Sequence, residues 1–194
     1  MTSTVTAREA DAACGSLDNA AGTVRHVPIA SVRTSYARLR PGALPAPRCD
    51  QGVELPLRVA MAPDGGYQVL DGFKRLKRWR EQGHALVPVA IEPAGAATEH
   101  KRLLLCANAP LRTLTAMDEA RVVFSLVHDD DLSPRTVAHL LGRKRDWVER
   151  RLKLGSRLGP VGQQKLGSGD IGPSLACALT TVSIKDQEAI LSTA

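Results

Sequence analysis

The segment SPRTVAHLLGRKRDWVERRLKLG (133–155) most constrains what this chain can fold into. Ser133 is a preferred helix N-cap, and Pro134 follows at the first helical position, where its missing N–H is no loss. Gly142 permits the left-handed turn that ends this helix, and a second helix follows at once. The segment therefore predicts a helix-turn-helix over residues 133–154.

Apolar residues in this segment recur at the spacing of an α-helix. Val137, Leu140 and Leu141 fall on one face of the first helix. In the second helix, Val148 and Leu152 are four residues apart and are expected to face inward. These positions predict two helices that pack against each other and against a larger helical core.

The opposite face of the second helix is predicted to carry the long charged side chains of Arg145, Glu149, Arg150 and Lys153. Lys144, just before this helix, is a further candidate for DNA binding. Cations on such a face neutralise phosphates, and an arginine can read guanine O6 and N7 with two hydrogen bonds. Glu149 can accept a hydrogen bond from a cytosine amino group. The alternative is an ordinary helical hairpin with a solvated charged face. The coincidence of the turn glycine, the small Ala138 and the basic face favours DNA binding.

The positive charge of the chain is concentrated in two segments. The formal net charge is +6, but residues 72–80 carry five cations and no acid, and residues 143–157 carry seven cations and two acids. The remainder of the chain is therefore net negative. Two basic segments on an otherwise acidic protein indicate polyanion partners.

The first half of the chain has strand patterns with one short helix. Apolar runs at 55–62 and 67–72 flank PDGG, which predicts a β-hairpin, and 73–83 and 86–93 predict a helix and a further strand. From Thr98 onward only helical periods occur. The predicted fold class is α+β, a small mixed α/β domain followed by an all-α domain. The predicted divisions are a disordered arm (1–24), an α/β domain (25–95) and a helical domain (96–194).

The other basic segment, VLDGFKRLKRWREQG (69–83), predicts a strand, an Asp-Gly turn and a helix that opens with cations. A glycine lets a ligand approach the backbone, and a helix N-terminus presents N–H groups to an anion. Lys74, Arg75 and Lys77 would surround such an anion. A solvated basic helix without a ligand explains the same residues, and this segment alone does not separate the two readings.

Several classes of protein are not expected from this sequence. Four scattered cysteines without C-x-x-C spacing predict neither a disulfide framework nor a zinc site. No apolar run approaches the roughly 20 residues of a membrane-spanning helix, and no secretory signal is recognised. The sequence predicts a cytoplasmic protein that makes no use of a membrane.

Residues 55–91 resemble the N-terminal module of the ParB family of plasmid and chromosome partition proteins. They follow its pattern DG-x-Y-x-(I/V)-(L/I)-x-G-x-R-R, with a later V-P-(V/C)-x-(I/V). Further along, Asn108 and Leu114 match parts of an E-N-x-x-R-x-x-L motif. The helix-turn-helix and an L-G-x-G-x-I stretch at 166–171 then follow in the family's order. The resemblance implies a ParB/sulfiredoxin-like domain joined to a KorB-like DNA-binding domain.

The resemblance also implies ligands and partners. Family members bind a specific DNA site and bind CTP, so the phosphate loop would be Gly72, Lys74, Arg75 and Lys77. Asn108 would support Mg²⁺. A partition ATPase and a second copy of the chain, in a homodimer, are the implied protein partners, and the implied location is the nucleoid or a plasmid.

The chain departs from the family pattern at the positions that would support hydrolysis. Phe73 replaces an acid, Ala107 replaces the glutamate of the motif, and Leu111 replaces its arginine. We therefore predict very slow or absent CTP hydrolysis.

The predicted function is site-specific DNA binding of ParB type, in plasmid or chromosome partition or as a plasmid- or transposon-borne regulator, with a nucleotide as a candidate gate. The alternative is a nucleotide-using enzyme on the same fold: an NTP hydrolase, a nuclease or a kinase. A third interpretation is an interaction module that binds no ligand.

Overall fold

The computed structural model describes residues 24–40, 55–62, 65–93, 95–106 and 114–193. Contacts divide the chain into two compact units. The sheet unit comprises the described residues up to 106, and the helical unit comprises 114–193. The sheet unit thus extends beyond residue 95, where the sequence predicts the end of the first domain. The predicted arm, apart from Val24, lies outside the described residues.

The sheet unit contains a five-stranded mixed sheet with the strand order β1-β5-β3-β4-β2. Its strands are β1 (Arg25–Pro28), β2 (Val32–Arg33), β3 (Leu57–Met61), β4 (Tyr67–Asp71) and β5 (Leu86–Glu92). Two α-helices accompany them, α1 (Phe73–Glu81) and α2 (Ala97–Cys106), together with two short 3-10 helices, Ile29–Ser31 and Ser35–Leu39. Strands β3 and β4 pair in antiparallel fashion, with Met61 opposite Tyr67, which confirms the predicted hairpin.

The two faces of the sheet are covered by different residues because successive side chains of a strand point to opposite faces. Val59 and Val69 belong to a core that includes Leu76 and Trp79 of α1. The next residue on each strand, Ala60 and Leu70, packs instead with Leu103 of α2 and with Tyr36. Helix α2 thereby completes the sheet unit, which explains why its boundary lies later than the composition suggested.

The helical unit consists, within 114–193, of α3 (Ala116–His128), α4 (Pro134–Leu140), α5 (Arg145–Arg157), α6 (Pro160–Ser168), α7 (Pro173–Leu179) and α8 (Ile184–Thr193). The predicted order of a mixed-sheet unit followed by helices is confirmed. Asp186 and Gln187 lie in the first turn of α8.

Helix α5 continues three residues beyond the predicted end at residue 154. Leu154 is completely buried in the core of the helical unit, together with Met117 and Leu158. Gly155 permits a close approach of α3, since a Cβ at this position would lie 3.2 Å from Cβ of Phe124. Within the extension, Gly155 thus lies against α3, whereas Ser156 and Arg157 are exposed.

In the described residues, every helix is too short or too polar to cross a membrane.

Candidate nucleic-acid interface

Helices α4 and α5 form the predicted pair of short helices joined by a tight turn. The Ser133 hydroxyl caps α4 by accepting a hydrogen bond from the Thr136 N–H at 3.1 Å. Gly142 has a φ of +60°, in the left-handed region, and Lys144 is the N-cap of α5. Val137 and Val148 are completely buried between the helices and their core. The turn and its buried contacts leave the opposite side of α5 open to solvent.

Helix α5 is attached to α3 through a charged and aromatic cluster. The Arg151 Nε donates to Glu119 Oε2 at 2.7 Å, and both side chains are largely buried. The guanidinium carbon of Arg151 also lies 5.0 Å from the centroid of the Trp147 ring, and that of Arg143 lies 5.5 Å from it. The ion pair joins α5 to α3, and the cation–π contacts hold the Arg151 and Trp147 side chains together on the same side of α5.

The outer face of α5 carries all the DNA-binding residues predicted from the sequence. Lys144, Arg145, Arg150 and Lys153 are exposed, and Glu149 is half-buried beside them. Arg145 Nε lies 2.7 Å from Glu149 Oε1. Within the described residues, Lys144, Arg150 and Lys153 take part in no ion pair. Cations without intramolecular partners are available to phosphates.

Sequence reasoning missed the Arg151–Glu119 pair, because the two residues are 32 positions apart and only the packing of α3 on α5 brings them together. The only available signal was indirect. Arg151 occupies the side of α5 that faces away from the predicted basic stripe, where a charge needs a partner.

The second basic segment has a different geometry. Gly72 precedes α1 with a φ of +97°, and a Cβ there would lie 2.6 Å from Leu57 Cδ2 and 3.0 Å from Arg75 Nη2. Arg75 folds back onto the sheet unit, where its guanidinium donates to the Leu55 carbonyl, to the Pro56 carbonyl at 2.8 Å and to Asp71 Oδ2 at 3.0 Å. Arg75 therefore belongs to the internal structure of this loop.

The remaining cations of α1 are distributed around the helix. The Lys77 side chain is 80% exposed, and its Nζ lies 3.9 Å from Glu81 Oε1. Lys74 and Arg78 are exposed, whereas Arg80 donates to the Val32 carbonyl at 2.6 Å. The structure thus brings Gly72, Lys74 and Arg75 together at the start of α1, and places Lys77 one turn further along.

Asn108, predicted to support a metal ion, lies outside the described residues, as do Ala107 and Leu111. In the described part of the chain no three side chains of histidine, cysteine, aspartate or glutamate come together to hold a metal ion. What remains for a nucleotide is the start of α1, where no described side chain caps the N–H groups of the first turn. That arrangement fits a phosphate group.

The sheet unit also contains a buried histidine. His100 on α2 is 6% exposed, its Nδ1 lies 3.5 Å from the Tyr36 hydroxyl, and its Nε2 has no hydrogen-bond partner among the described residues. Burial lowers the pKa of His100, and the nearby Glu99 carboxylate opposes that shift. The pKa of Glu99 is itself lowered, chiefly by its hydrogen bonds from Arg102.

A comparison with curated proteins finds one relative with a similar sequence. The chain is 31% identical over 107 residues to a probable chromosome-partitioning protein ParB of Vibrio cholerae serotype O1. The match covers 54% of this chain and 35% of that protein, so the chain spans about a third of its relative's length. No family model matches.

Solved structures similar to this chain include two of the C-terminally truncated chromosome-partitioning protein ParB from Caulobacter crescentus. One is complexed with CTP-gamma-S (TM-score 0.38, 21% identity, covering 88% of this chain and 99% of that chain). The other is complexed to the centromeric parS site (TM-score 0.44, 19% identity, 88% and 100%). A Pnob8-like ParB-N domain has a TM-score of 0.46 with 13% identity, covering 87% and 82%.

The fold and the site define a chain with a mixed-sheet unit and a helical unit, in which a tight turn joins α4 to the basic helix α5. The curated relative confirms that this chain is similar to the ParB family, as its motifs predicted.

Proposed function

We propose that this chain is a site-specific DNA-binding protein of ParB type that reads duplex DNA with the outer face of α5. The observation that carries the proposal is the division of α5 into two sides. Val148, Leu154 and Arg151 fasten one side to the helical unit, while Lys144, Arg150 and Lys153 extend into solvent. A rigid helix with cations on its free side is the form that enters a major groove.

The biological role that we propose is partition of a plasmid or chromosome, or regulation of a plasmid or transposon by a protein derived from a partition factor. The relative is described as a probable chromosome-partitioning protein. In this role the chain would act in the cytoplasm, on the nucleoid or a plasmid, as a homodimer together with a partition ATPase.

A binding selection against random duplexes tests the DNA-binding proposal. We expect one enriched site. The logarithm of the association constant for that site should fall by about 0.9 per phosphate contact for each tenfold increase in salt concentration. Fluorescence anisotropy of the selected and a scrambled duplex at several salt concentrations measures both quantities. Equal affinity for the two duplexes, or no binding at low salt, would contradict the proposal.

A second candidate function is nucleotide binding at the start of α1, and a specific observation favours it. The first turn of α1 has no side-chain cap among the described residues, so its N–H groups can donate to a phosphate, beside Lys74. CTP with Mg²⁺ is the first candidate, because one ParB neighbour is complexed with CTP-gamma-S. When bound, the nucleotide would supply a triphosphate and its metal, and Asn108 would be the residue that supports the metal.

Thermal melting with millimolar CTP, ATP and GTP tests this candidate. Stabilisation grows with the ratio of nucleotide concentration to Kd. Lys77→Ala is the informative variant, because its exposed side chain contributes little to the fold. We expect CTP to raise the melting temperature of the wild type more than that of Lys77→Ala. An unchanged melting temperature with every nucleotide would contradict nucleotide binding at the start of α1.

Phosphate release from the same nucleotides, with and without duplex DNA, separates the binding protein from the alternative enzyme. We expect slow or no release, because the motif's glutamate and arginine are Ala107 and Leu111. Losing a positioned acid–base group costs about 10²–10⁴-fold in rate. Steady turnover that disappears in Lys77→Ala would favour an NTP-using enzyme.

A further inference from the structure

An acid occupies the middle of the outer face of α5. Residues 145, 149 and 153 are four apart and form one stripe along the helix, so Glu149 stands between two cations. Its Oε1 accepts a hydrogen bond from Arg145 Nε at 2.7 Å. On a face that only neutralised phosphates, a carboxylate at this position would weaken binding by repulsion.

The Arg145–Glu149 pair leaves part of the arginine available. The contact occupies Nε, and the two terminal Nη groups of Arg145 make no hydrogen bond to the described residues. The Arg145 side chain is 70% exposed, whereas the Glu149 side chain is 43% exposed. Glu149 thus holds the guanidinium from one edge, and the Nη groups remain free to donate to O6 and N7 of a guanine.

We propose that Glu149 is a specificity-determining and positioning residue for DNA recognition. It orients Arg145 toward a guanine, and its charge disfavours every register in which the outer face meets only phosphates. Discrimination arises because the correct DNA sequence offsets the repulsion of the Glu149 carboxylate. Its guanine accepts hydrogen bonds from the oriented arginine, or a base amino group donates to the carboxylate, whereas a wrong sequence does neither. This inference rests on the proposed DNA-binding function.

The test compares affinities for the selected and the scrambled duplex at one salt concentration, using the full chain. We expect Glu149→Gln to bind the scrambled duplex about 3–10-fold more tightly, because one repulsive charge is gone. We expect the ratio of specific to non-specific affinity to fall about 10-fold or more, within the range that a lost base-pair preference produces.

Glu188→Gln is the matched control. Glu188 lies on α8 and is exposed, and its replacement changes the net charge by the same amount. We expect this variant to keep the wild-type affinity ratio. If Glu149→Gln changed the ratio no more than Glu188→Gln does, the inference would be wrong while the proposed function stood. If the wild type bound neither duplex, the proposed function itself would fail.

A double-mutant cycle separates the positioning role from charge alone. In an Arg145→Gln background, Glu149 has no guanidinium to orient, so we expect Glu149→Gln to reduce the affinity ratio much less than it does in the wild type. An equal reduction in both backgrounds would show that Glu149 acts without Arg145 and would overturn the positioning role.

Discussion

Helix α1 of the sheet unit and helix α5 of the helical unit lie in the two most basic segments of the chain, yet their cations have different partners. In α1, Arg75 bonds two carbonyls and Asp71, and Arg80 bonds the Val32 carbonyl. In α5, Arg151 alone is committed to the interior through Glu119. The cations of the outer face of α5 point to solvent, and among the described residues they form no ion pair apart from the exposed Arg145–Glu149 pair.

This difference shows that a count of charges does not define a binding surface. A guanidinium that satisfies backbone carbonyls contributes to folding, and its removal changes stability before it changes binding. A solvated cation contributes little to stability and remains available for a polyanion. The two basic segments are therefore expected to respond differently to the same kind of substitution.

The largest expected effect is a loss of DNA affinity when three cations of one helix are replaced together. We expect Arg145→Ala, Arg150→Ala and Lys153→Ala together to weaken DNA binding about 100-fold, since each lost contact costs about 1 kcal/mol or more. Lys74→Ala, Lys77→Ala and Arg78→Ala together remove the same charge from α1 and are the control. Titrations of the selected duplex measure both. Equal losses would mean that net charge, and not the surface of α5, determines affinity.

The two turn glycines provide a second comparison. Gly72 and Gly142 both have positive φ, but a Cβ at Gly72 would meet Leu57 Cδ2 at 2.6 Å, whereas a Cβ at Gly142 would have no described atom within 4 Å. An alanine at a left-handed position costs about 1–2 kcal/mol in backbone strain alone. We expect Gly72→Ala to destabilise the protein by about 2–3 kcal/mol and Gly142→Ala by about 1 kcal/mol. Urea unfolding of both variants tests this order, which a larger loss in Gly142→Ala would reverse.

Two cations of α1 sharpen the comparison within one helix. Arg75→Ala removes hydrogen bonds to two carbonyls and Asp71, and we expect a loss of about 1–2 kcal/mol for this partly exposed group. Lys77→Ala removes an 80% exposed side chain, and its effect on the free energy of unfolding should stay below about 0.5 kcal/mol. Calorimetry without nucleotide measures both. Indistinguishable melting temperatures would show that the internal contacts of Arg75 contribute nothing.

Local patterns predicted much of this molecule. The hairpin, the helix starts at Ser133 and Pro134, and the buried Val137 and Val148 follow from turn chemistry, capping and apolar spacing, which depend on near neighbours in the chain. The attachment of α2 to the sheet unit could not be predicted in this way, because Leu103 meets Ala60 and Leu70 only through tertiary packing.

The same limit applies to the candidate sites. The basic face of α5 was predictable, because side chains three and four residues apart lie on one side of a helix. The roles of Arg75 and Arg151 were not, since each depends on acceptors 19 to 32 positions away. Sequence alone identifies a cation and its helix face, and the structure decides whether that cation is already bonded.

The smallest expected effect is a pH dependence of the sheet unit. Because burial lowers the pKa of His100 below its usual value of 6.5, the folded protein binds that proton less readily than the unfolded chain. This contribution to stability is complete above pH 6.5 and is lost as the pH falls below it, at no more than about 1.4 kcal/mol per pH unit for one proton. The lowered pKa of Glu99 adds a further loss of stability only below about pH 4.5, so the change in stability between pH 6.5 and 4.5 reports on His100.

Fluorescence of the buried Trp79 in a Trp147→Phe background follows the sheet unit during urea unfolding. We expect His100→Gln to flatten the dependence between pH 6.5 and 5, and an unchanged slope in that variant would assign the effect to another group.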